Sequence, residues 1–168
     1  MTEGKQFTIF RQSDGIRIEG EQGVLTTDPT PVQYEGLHRM LDVGVADGFE
    51  FTLLCNLPGF TLLHAWFKKD YPLPLHSHNR DCLYHVVSGS ARLGTEDIGP
   101  GDSFFIPAGT PYTYRAGPEG VEVLEFRHEM GVDFQNYAKS QAFYDKAVAT
   151  VLANRDGWRT ATRPQRTV

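Results

Sequence analysis

Two histidines separated by a single residue stand in the stretch PLPLHSHNRDCLYHVV, which begins at Pro72. His76 and His78 precede a segment that reads as a strand, and Cys82 follows four residues after His78. In extended chain, residues two apart project to the same side, so both imidazoles can converge on one point. Imidazole nitrogens and a thiolate are ligands that favour zinc or iron over magnesium or calcium. The stretch therefore predicts that His76 and His78 bind a metal ion together, with Cys82 either as a further ligand or as a small buried side chain on the strand.

A tyrosine follows on the same strand-like segment. From Cys82 onward, the pleat of a strand sends Cys82 and Tyr84 to one face and His85 to the other. If the Cys82 face is inward, the phenol of Tyr84 faces the histidine pair. There it can donate a proton or orient a bound substrate.

Residues on other segments are candidates for lining a substrate pocket. His64 and Trp66 alternate on the strand-like segment before the histidine pair, so they share one face and can enter the interior. Phe105 lies on a later segment and is a further candidate for the pocket lining. Glu125 and His128, on the last long segment, can also complete the site.

Short strand-like segments separated by turns must position these side chains. The segments are FEFTLLCNL, FTLLHAWF, CLYHVV, DSFFIP, YTYR and VEVLEF, and the stretches between them are rich in glycine and proline. Many short strands at this spacing predict an all-β sandwich or barrel. We divide the chain into an N-terminal arm (1–45), the barrel (46–130), one C-terminal α-helix (131–157) and a tail (158–168). Within the arm, IRIEG and YEGLHRMLDVG are predicted edge strands, and Asp133 is predicted to cap the helix.

Length, charge and cysteine content limit the class of protein. The chain has 168 residues, 40% of them hydrophobic, and a formal net charge of -5, which suits one globular domain and argues against nucleic acid or an anionic membrane as partner. No apolar run approaches the roughly 18 residues of a membrane span. We predict a cytoplasmic protein with two free thiols, Cys55 and Cys82. Apolar surface on the arm and helix predicts a homodimer.

The histidine pair lies within a longer pattern, G-x5-H-x-H-x3,4-E-x6-G, the first motif of the cupin superfamily, which this chain resembles. His76, His78 and Gly89 match the motif, whereas Asp70 stands at its first glycine and Cys82 at its glutamate.

The second cupin motif, G-x5-P-x-G-x2-H-x3-N, is similar to the stretch that begins GDSFFIPAG. Gly101, Pro107 and Gly109 match, whereas Tyr112 replaces the histidine and Ala116 the asparagine. The resemblance implies a small antiparallel jelly-roll barrel, commonly paired as a dimer, with a site in its mouth. Cupins of this kind hold iron, manganese, nickel or zinc with three histidines and a glutamate. This chain keeps two of those four ligands, and Tyr112 could supply a phenolate or a hydrogen bond to a bound water.

The resemblance implies an enzyme that acts on a small organic molecule with the help of a divalent metal. Zinc or iron is favoured, and nickel or manganese would also suit the family. His76, His78 and Cys82 would hold the metal, while Tyr84 and Tyr112 would donate or orient protons. A dioxygenase is one candidate, because thiol dioxygenases also carry a cysteine at the position of Cys82. The alternatives are a non-catalytic small-molecule-binding cupin and a zinc-assisted lyase or isomerase.

Overall fold

The computed structural model describes residues 6–19, 26–131 and 133–165. The regular elements, in chain order, are a 3₁₀ helix Gln12–Asp14, β1 Ile16–Ile18, α1 Pro31–Asp42, a 3₁₀ helix Val45–Gly48, β2 Phe49–Leu57, β3 Phe60–Phe67, β4 His76–Ser77, β5 Cys82–Leu93, β6 Glu96–Ile98, β7 Ser103–Ile106, β8 Arg115–Arg127, β9 Gln135–Asn136 and α2 Gln141–Thr160. Within the described ranges, neither α1 nor α2 is both long and apolar enough to cross a membrane.

Antiparallel pairing joins most of the strands into one sheet in the order β1-β2-β3-β8-β5-β6. β5 pairs with β8 along one edge, and with β7 and then β6 along the other. β4 and β9 form a separate short pair. The mainly antiparallel architecture, followed by a helix at the C-terminal end, confirms the all-β prediction.

Alternation along the strands directs one face of the sheet to an internal cavity. On β3, Leu63, Ala65 and Phe67 line this cavity, and Val123 of β8, which pairs with Ala65, lines it beside them. All four side chains are buried. On β5, Cys82 and Tyr84 are buried whereas His85 is exposed, as the period of two predicts.

Gly89, which matches the last glycine of the first cupin motif, occupies a position that only glycine fits without strain. Its φ is +70°, and a Cβ there would lie 2.2 Å from the carbonyl oxygen of Gly120 on the neighbouring strand. The pairing of β5 with β8 shifts register next to this residue. The glycine therefore permits a bulge that bends the barrel wall.

The prediction of an edge strand at YEGLHRMLDVG is wrong, because this segment forms most of α1. Thr30 and Gln33 make a capping box, in which the Thr30 hydroxyl accepts from the Gln33 amide and Gln33 Oε1 accepts from the Thr30 amide. Pro31 follows the cap, where its missing N–H costs nothing. Gly36 lets α1 pack against Tyr144 of α2, since a Cβ at Gly36 would lie 2.2 Å from the tyrosine ring.

The C-terminal helix, α2, begins at Gln141, ten residues after its predicted start at residue 131. α2 is capped by Ser140, whose hydroxyl accepts from the Phe143 amide, and it runs to Thr160. Asp133 does not cap it, because its carboxylate accepts instead from the Asn79 amide at 2.9 Å. The intervening segment forms β9, so residues expected on a helix contribute to the barrel mouth.

Apolar side chains face outward in a row across the sheet. Leu83 of β5 lies between Phe105 of β7 and Phe126 of β8 in the strand register, and Leu83 and Phe105 are 46% and 57% exposed. Phe7 and Ile9 of the N-terminal arm are also exposed. Water contact of this much apolar surface is unfavourable, and an interface between two copies would relieve it.

We therefore expect a homodimer at micromolar concentration, measured by light scattering on a sizing column. Phe105→Asp should shift the protein to a monomer, because it buries a charge in the interface. Leu152→Asp, a matched change on the exposed side of α2, should leave the mass unchanged. A wild-type monomer would contradict the prediction.

Candidate active site

An internal cavity of about 440 Å³ lies between the sheet and a cover made by α1, β4, β9 and the start of α2. Most of its lining is aromatic or aliphatic, including Phe51, Phe67, Tyr71, Tyr114, Phe134 and Phe143. Its remaining wall carries a connected polar cluster, formed by His76, His78, Tyr84, Tyr112, Glu125 and Arg127. A mainly apolar cavity with a few convergent polar groups is typical of a small-molecule site.

His76 is held as a neutral imidazole in one tautomer. Its backbone N–H and C=O exchange hydrogen bonds with Tyr112 at 3.0 and 2.8 Å, and its Nδ1 lies 2.9 Å from the carbonyl oxygen of Pro74. Because a carbonyl only accepts, Nδ1 carries the hydrogen and Nε2 keeps a lone pair. Within the described residues, no protein group hydrogen bonds to Nε2. The ring stacks on Phe134 with centroids 4.4 Å apart, and burial lowers the pKa of His76 to about 4.

His78 connects the tyrosines to the charged residues of the cluster. Its Nδ1 lies 2.6 Å from the backbone carbonyl oxygen of Asp133, so this nitrogen carries the hydrogen. Its Nε2 lies 3.1 Å from the hydroxyl of Tyr112 and therefore accepts from it. Burial lowers the pKa of His78, and the guanidinium of Arg127, 3.0 Å from Nδ1, lowers it further.

Tyr84 and Tyr112 share a short hydrogen bond between their hydroxyls. Since Tyr112 donates to His78, its oxygen accepts from Tyr84, and the chain of donation runs from Tyr84 through Tyr112 to His78. Tyr84 is fixed by stacking on Phe104, with centroids 4.6 Å apart. Burial raises the pKa of both phenols well above the usual value. They therefore stay protonated and act as hydrogen-bond donors.

Glu125 and Arg127 form a buried ion pair on the inner face of β8. Nε of Arg127 donates to Oε1 of Glu125 at 2.5 Å, and Nη2 contacts the same oxygen. Nη1 of Arg127 lies 3.2 Å from Oδ1 of Asp133. Burial alone would raise the pKa of Glu125, but the guanidinium of Arg127 and smaller contributions from neighbouring groups together outweigh it and lower that pKa. The carboxylate is therefore ionised inside the barrel.

Comparison with known proteins identifies the fold. No family model matches the sequence, and no curated protein matches it. Among solved structures, the polyketide cyclase RemF from Streptomyces resistomycificus matches over 63% of this chain and 82% of its own, with 23% identity and a TM-score of 0.51. The nucleoside dehydratase Pac13 from Streptomyces matches over 78% of this chain and 91% of its own, with 14% identity and a TM-score of 0.50. An RmlC-like cupin from Shewanella frigidimarina matches over 49% of this chain and 78% of its own, with 21% identity and a TM-score of 0.45. The chain has a cupin fold. At these identities, the similarity concerns the fold alone.

Three buried residues of this barrel could hold a metal ion. The ligand atoms of His78, Cys82 and Glu125 all lie within 4.8 Å of one another, and Sγ of Cys82 is 3.8 Å from Oε1 of Glu125. An imidazole, a thiolate and a carboxylate are a donor set that zinc or iron accepts, so the residue types fit a divalent ion. The predicted set of His76, His78 and Cys82 differs by one residue, because Glu125 joins the group and His76 does not. Burial, and then the Glu125 carboxylate, raise the pKa of Cys82 to about 12.

The structure does not bring His64, Trp66 or Phe105 to the cavity. His64 and Trp66 lie on the opposite face of β3 from the residues that line it. There, Nε2 of His64 is 3.2 Å from Glu122, and the guanidinium of Arg163 lies over the Trp66 ring. Phe105 faces outward on β7. His64 and Trp66 are therefore buried on the far face of the sheet and Phe105 is exposed, so none of the three predicted substrate-binding residues lines the cavity.

Arg127, Tyr71 and Tyr114 all line the cavity, although none of them was among the site residues predicted from the sequence. A signal for Arg127 was present, because it stands two residues after Glu125 and so shares its face of the strand. An acidic and a basic residue on one face of a strand predict an ion pair wherever that face is buried. Tyr71 and Tyr114 carry no comparable signal, since a tyrosine beside a turn has no preferred direction.

Proposed function

We propose that this cupin catalyses proton transfer on a small, largely apolar molecule that carries an oxygen function. One observation carries the proposal: a neutral imidazole with a free Nε2, that of His76, stands beside the paired phenols of Tyr112 and Tyr84. The ring centroids of His76 and Tyr112 are 4.3 Å apart. A base and hydrogen-bond donors thus line the same cavity.

His76 is suited to act as the general base. The hydrogen bond from its Nδ1 to Pro74 fixes the tautomer and directs the lone pair of Nε2 away from the backbone. Its lowered pKa keeps the imidazole unprotonated near neutral pH but also makes it a weaker base, so proton abstraction depends on stabilisation of the resulting anion by the tyrosines. The stacked ring of Phe134 holds its orientation.

The two tyrosines are suited to stabilise the negative charge that develops when the proton leaves. If the proton leaves a carbon next to a carbonyl group, the charge moves to the carbonyl oxygen. The Tyr112 hydroxyl, which otherwise donates to Nε2 of His78, would turn to donate to that oxygen, and the hydrogen bond from Tyr84 would strengthen it as a donor. Because both phenols are buried, this stabilisation acts in a medium of low dielectric constant.

The cavity limits the class of substrate. Its aromatic lining favours a ring compound, and its volume of about 440 Å³ suits a single small organic molecule. A general base at His76 and hydrogen-bond donors at the tyrosines could together catalyse isomerisation of a double bond, or elimination of a group β to a carbonyl. We therefore propose a lyase or isomerase that acts on a cyclic carbonyl compound.

Deuterium exchange tests the proposal directly, because it reports proton abstraction whatever product is formed. A panel of monocyclic to tricyclic ketones and hydroxyketones is screened for thermal stabilisation, and the compounds that bind are incubated with the protein in D₂O. We expect at least one bound compound to take up deuterium next to its carbonyl group. His76→Gln should retain binding but lower the exchange rate about a hundredfold, as loss of a general base implies.

Two further variants complete the test. Tyr112→Phe should slow exchange while binding persists, because the donor to the oxygen is lost. His85→Gln, on the exposed face of β5, should exchange as fast as the wild type. If no compound of the panel binds, or if exchange survives in His76→Gln, the proposal is wrong.

The triad of His78, Cys82 and Glu125 favours a second candidate, a metal-dependent cupin enzyme. When bound, zinc or iron would polarise a substrate oxygen as a Lewis acid, and iron would also suit a dioxygenase. In that case His78, Cys82 and Glu125 would hold the ion, and Arg127 would have to give up its contacts with Oε1 of Glu125. His76 would keep its role toward the substrate. Stoichiometric metal in protein purified without an affinity tag would favour this candidate.

A further inference from the structure

The guanidinium of Arg127 lies against the three residues that could hold a metal. We propose that Arg127 takes the place of a metal ion in this barrel and excludes divalent cations from the triad of His78, Cys82 and Glu125. The inference concerns the cation at the site and does not depend on the proposed proton transfer.

The first argument is the occupation of the Glu125 carboxylate. Oε1 of Glu125 is the oxygen that faces the sulfur of Cys82, at 3.8 Å. The same oxygen accepts from Nε of Arg127 at 2.5 Å and contacts Nη2 as well. A metal ion that joined Glu125 to Cys82 would have to displace both nitrogens from this oxygen.

The second argument is the contact with His78. Nδ1 of His78 donates to the carbonyl oxygen of Asp133 at 2.6 Å, and Nη2 of Arg127 lies 3.0 Å from the same nitrogen as a close contact between two donors. The other nitrogen of this histidine, Nε2, accepts from the hydroxyl of Tyr112 at 3.1 Å. Both nitrogens of His78 are therefore engaged by groups of the protein.

The third argument is the balance of charge. Arg127 is 1% exposed and cannot leave the site without moving its charge through the core. Its guanidinium already neutralises Glu125 and lies 3.2 Å from the carboxylate of Asp133. A divalent ion at the triad would stand next to this fixed positive charge, and the repulsion between the two cations would act in a place with little water to screen it.

Arg127 is thus a built-in cation. A metal is held by reversible bonds, whereas the guanidinium is attached through the chain and cannot be removed by a chelator. It holds the Glu125 carboxylate in place as a metal ion would, but it offers no open coordination position to a substrate.

Cobalt binding tests the proposal by a spectroscopic readout that does not depend on catalysis. Co²⁺ bound by a thiolate gives a charge-transfer absorption band, so uptake at Cys82 can be observed directly. We expect the wild-type protein to show no such band and to retain no cobalt after dialysis. Arg127→Met should bind Co²⁺ with the band, with an affinity about a thousandfold higher, as removal of a like charge about 4 Å away implies. Cys82→Ser in the Arg127→Met background should remove the band.

The variants also cover the case in which Arg127→Met does not fold, since it leaves Glu125 without a partner. If Arg127→Met does not fold, Arg127→Gln is used in its place, because glutamine keeps a hydrogen-bond donor. Both variants are refolded with and without Co²⁺. Recovery of folded protein only with Co²⁺ would support the proposal. Wild-type protein that takes up stoichiometric Co²⁺ with a thiolate band would overturn it, as would a folded variant that binds none. Neither result affects the deuterium-exchange test, so the two proposals can fail separately.

Discussion

Glu125→Ala should lower the free energy of unfolding by about 3–5 kcal/mol, the usual effect of removing one partner from a buried ion pair. The substitution leaves Arg127 charged in a site where it is 1% exposed and bonded mainly to Glu125. Because the guanidinium cannot lose its proton, the protein must bury an uncompensated charge or admit water. Urea denaturation of both proteins at neutral pH measures the difference.

A matched substitution separates the ion pair from a general effect of losing an acidic residue. Glu129 also pairs with an arginine, Arg80, but both side chains are more than 40% exposed. Glu129→Ala should therefore cost less than about 1 kcal/mol. Glu125→Leu combined with Arg127→Met should recover most of the stability, because the one carboxylate that then loses a partner, that of Asp133, is partly exposed and still accepts from the Asn79 amide. Equal losses for Glu125→Ala and Glu129→Ala would contradict a buried ion pair.

His76 should make the stability of the protein fall steeply in mild acid. Burial lowers its pKa from 6.5 to about 4 in the folded state, so the unfolded chain binds a proton first as the pH falls. The stability that the neutral imidazole contributes is complete above pH 6.5 and is lost as the pH falls to the folded-state pKa. Between pH 7 and about pH 4, this loss amounts to about 3 kcal/mol.

The contribution of His76 is measured as a difference between variants. Urea denaturation from neutral to acid pH should give a steeper loss of stability for the wild type than for His76→Gln, which has no group to titrate. His85→Gln should follow the wild type, because His85 is exposed on the outer face of β5. If the curves of wild type and His76→Gln are parallel, the imidazole of His76 is not buried as described.

The period of two along a strand explains which part of the site could be predicted. It placed Cys82 and Tyr84 inward and His85 outward, and the spacing of Gly101, Pro107 and Gly109 identified the barrel. The same rule could not place His64, because both faces of β3 are buried. Leu63 and Ala65 fill the cavity side, and His64 packs with Glu122 on the other. Alternation gives no direction when neither face meets water.

Contacts between distant parts of the chain explain most of what was missed. The signals for α1, Pro31 and the Thr30–Gln33 box, were present in the sequence, but they stand in a segment rich in turn residues. The β9 strand depends on pairing with β4, which lies about sixty residues earlier, and no local pattern reports it. Helical periodicity continued through that segment, and it suggested a helix that the pairing overrides.

The backbone hydrogen bonds between His76 and Tyr112 give the site a property that bears on its evolution. Each residue donates its amide to the other's carbonyl, so their separation is set by the main chain, whichever side chains they carry. A substitution at either position changes the chemistry presented to the cavity without changing where it is presented. Tyr112 stands where the second cupin motif has a histidine, and this backbone would present either side chain at the same place. New activities could arise here by single substitutions, with the architecture of the barrel left intact.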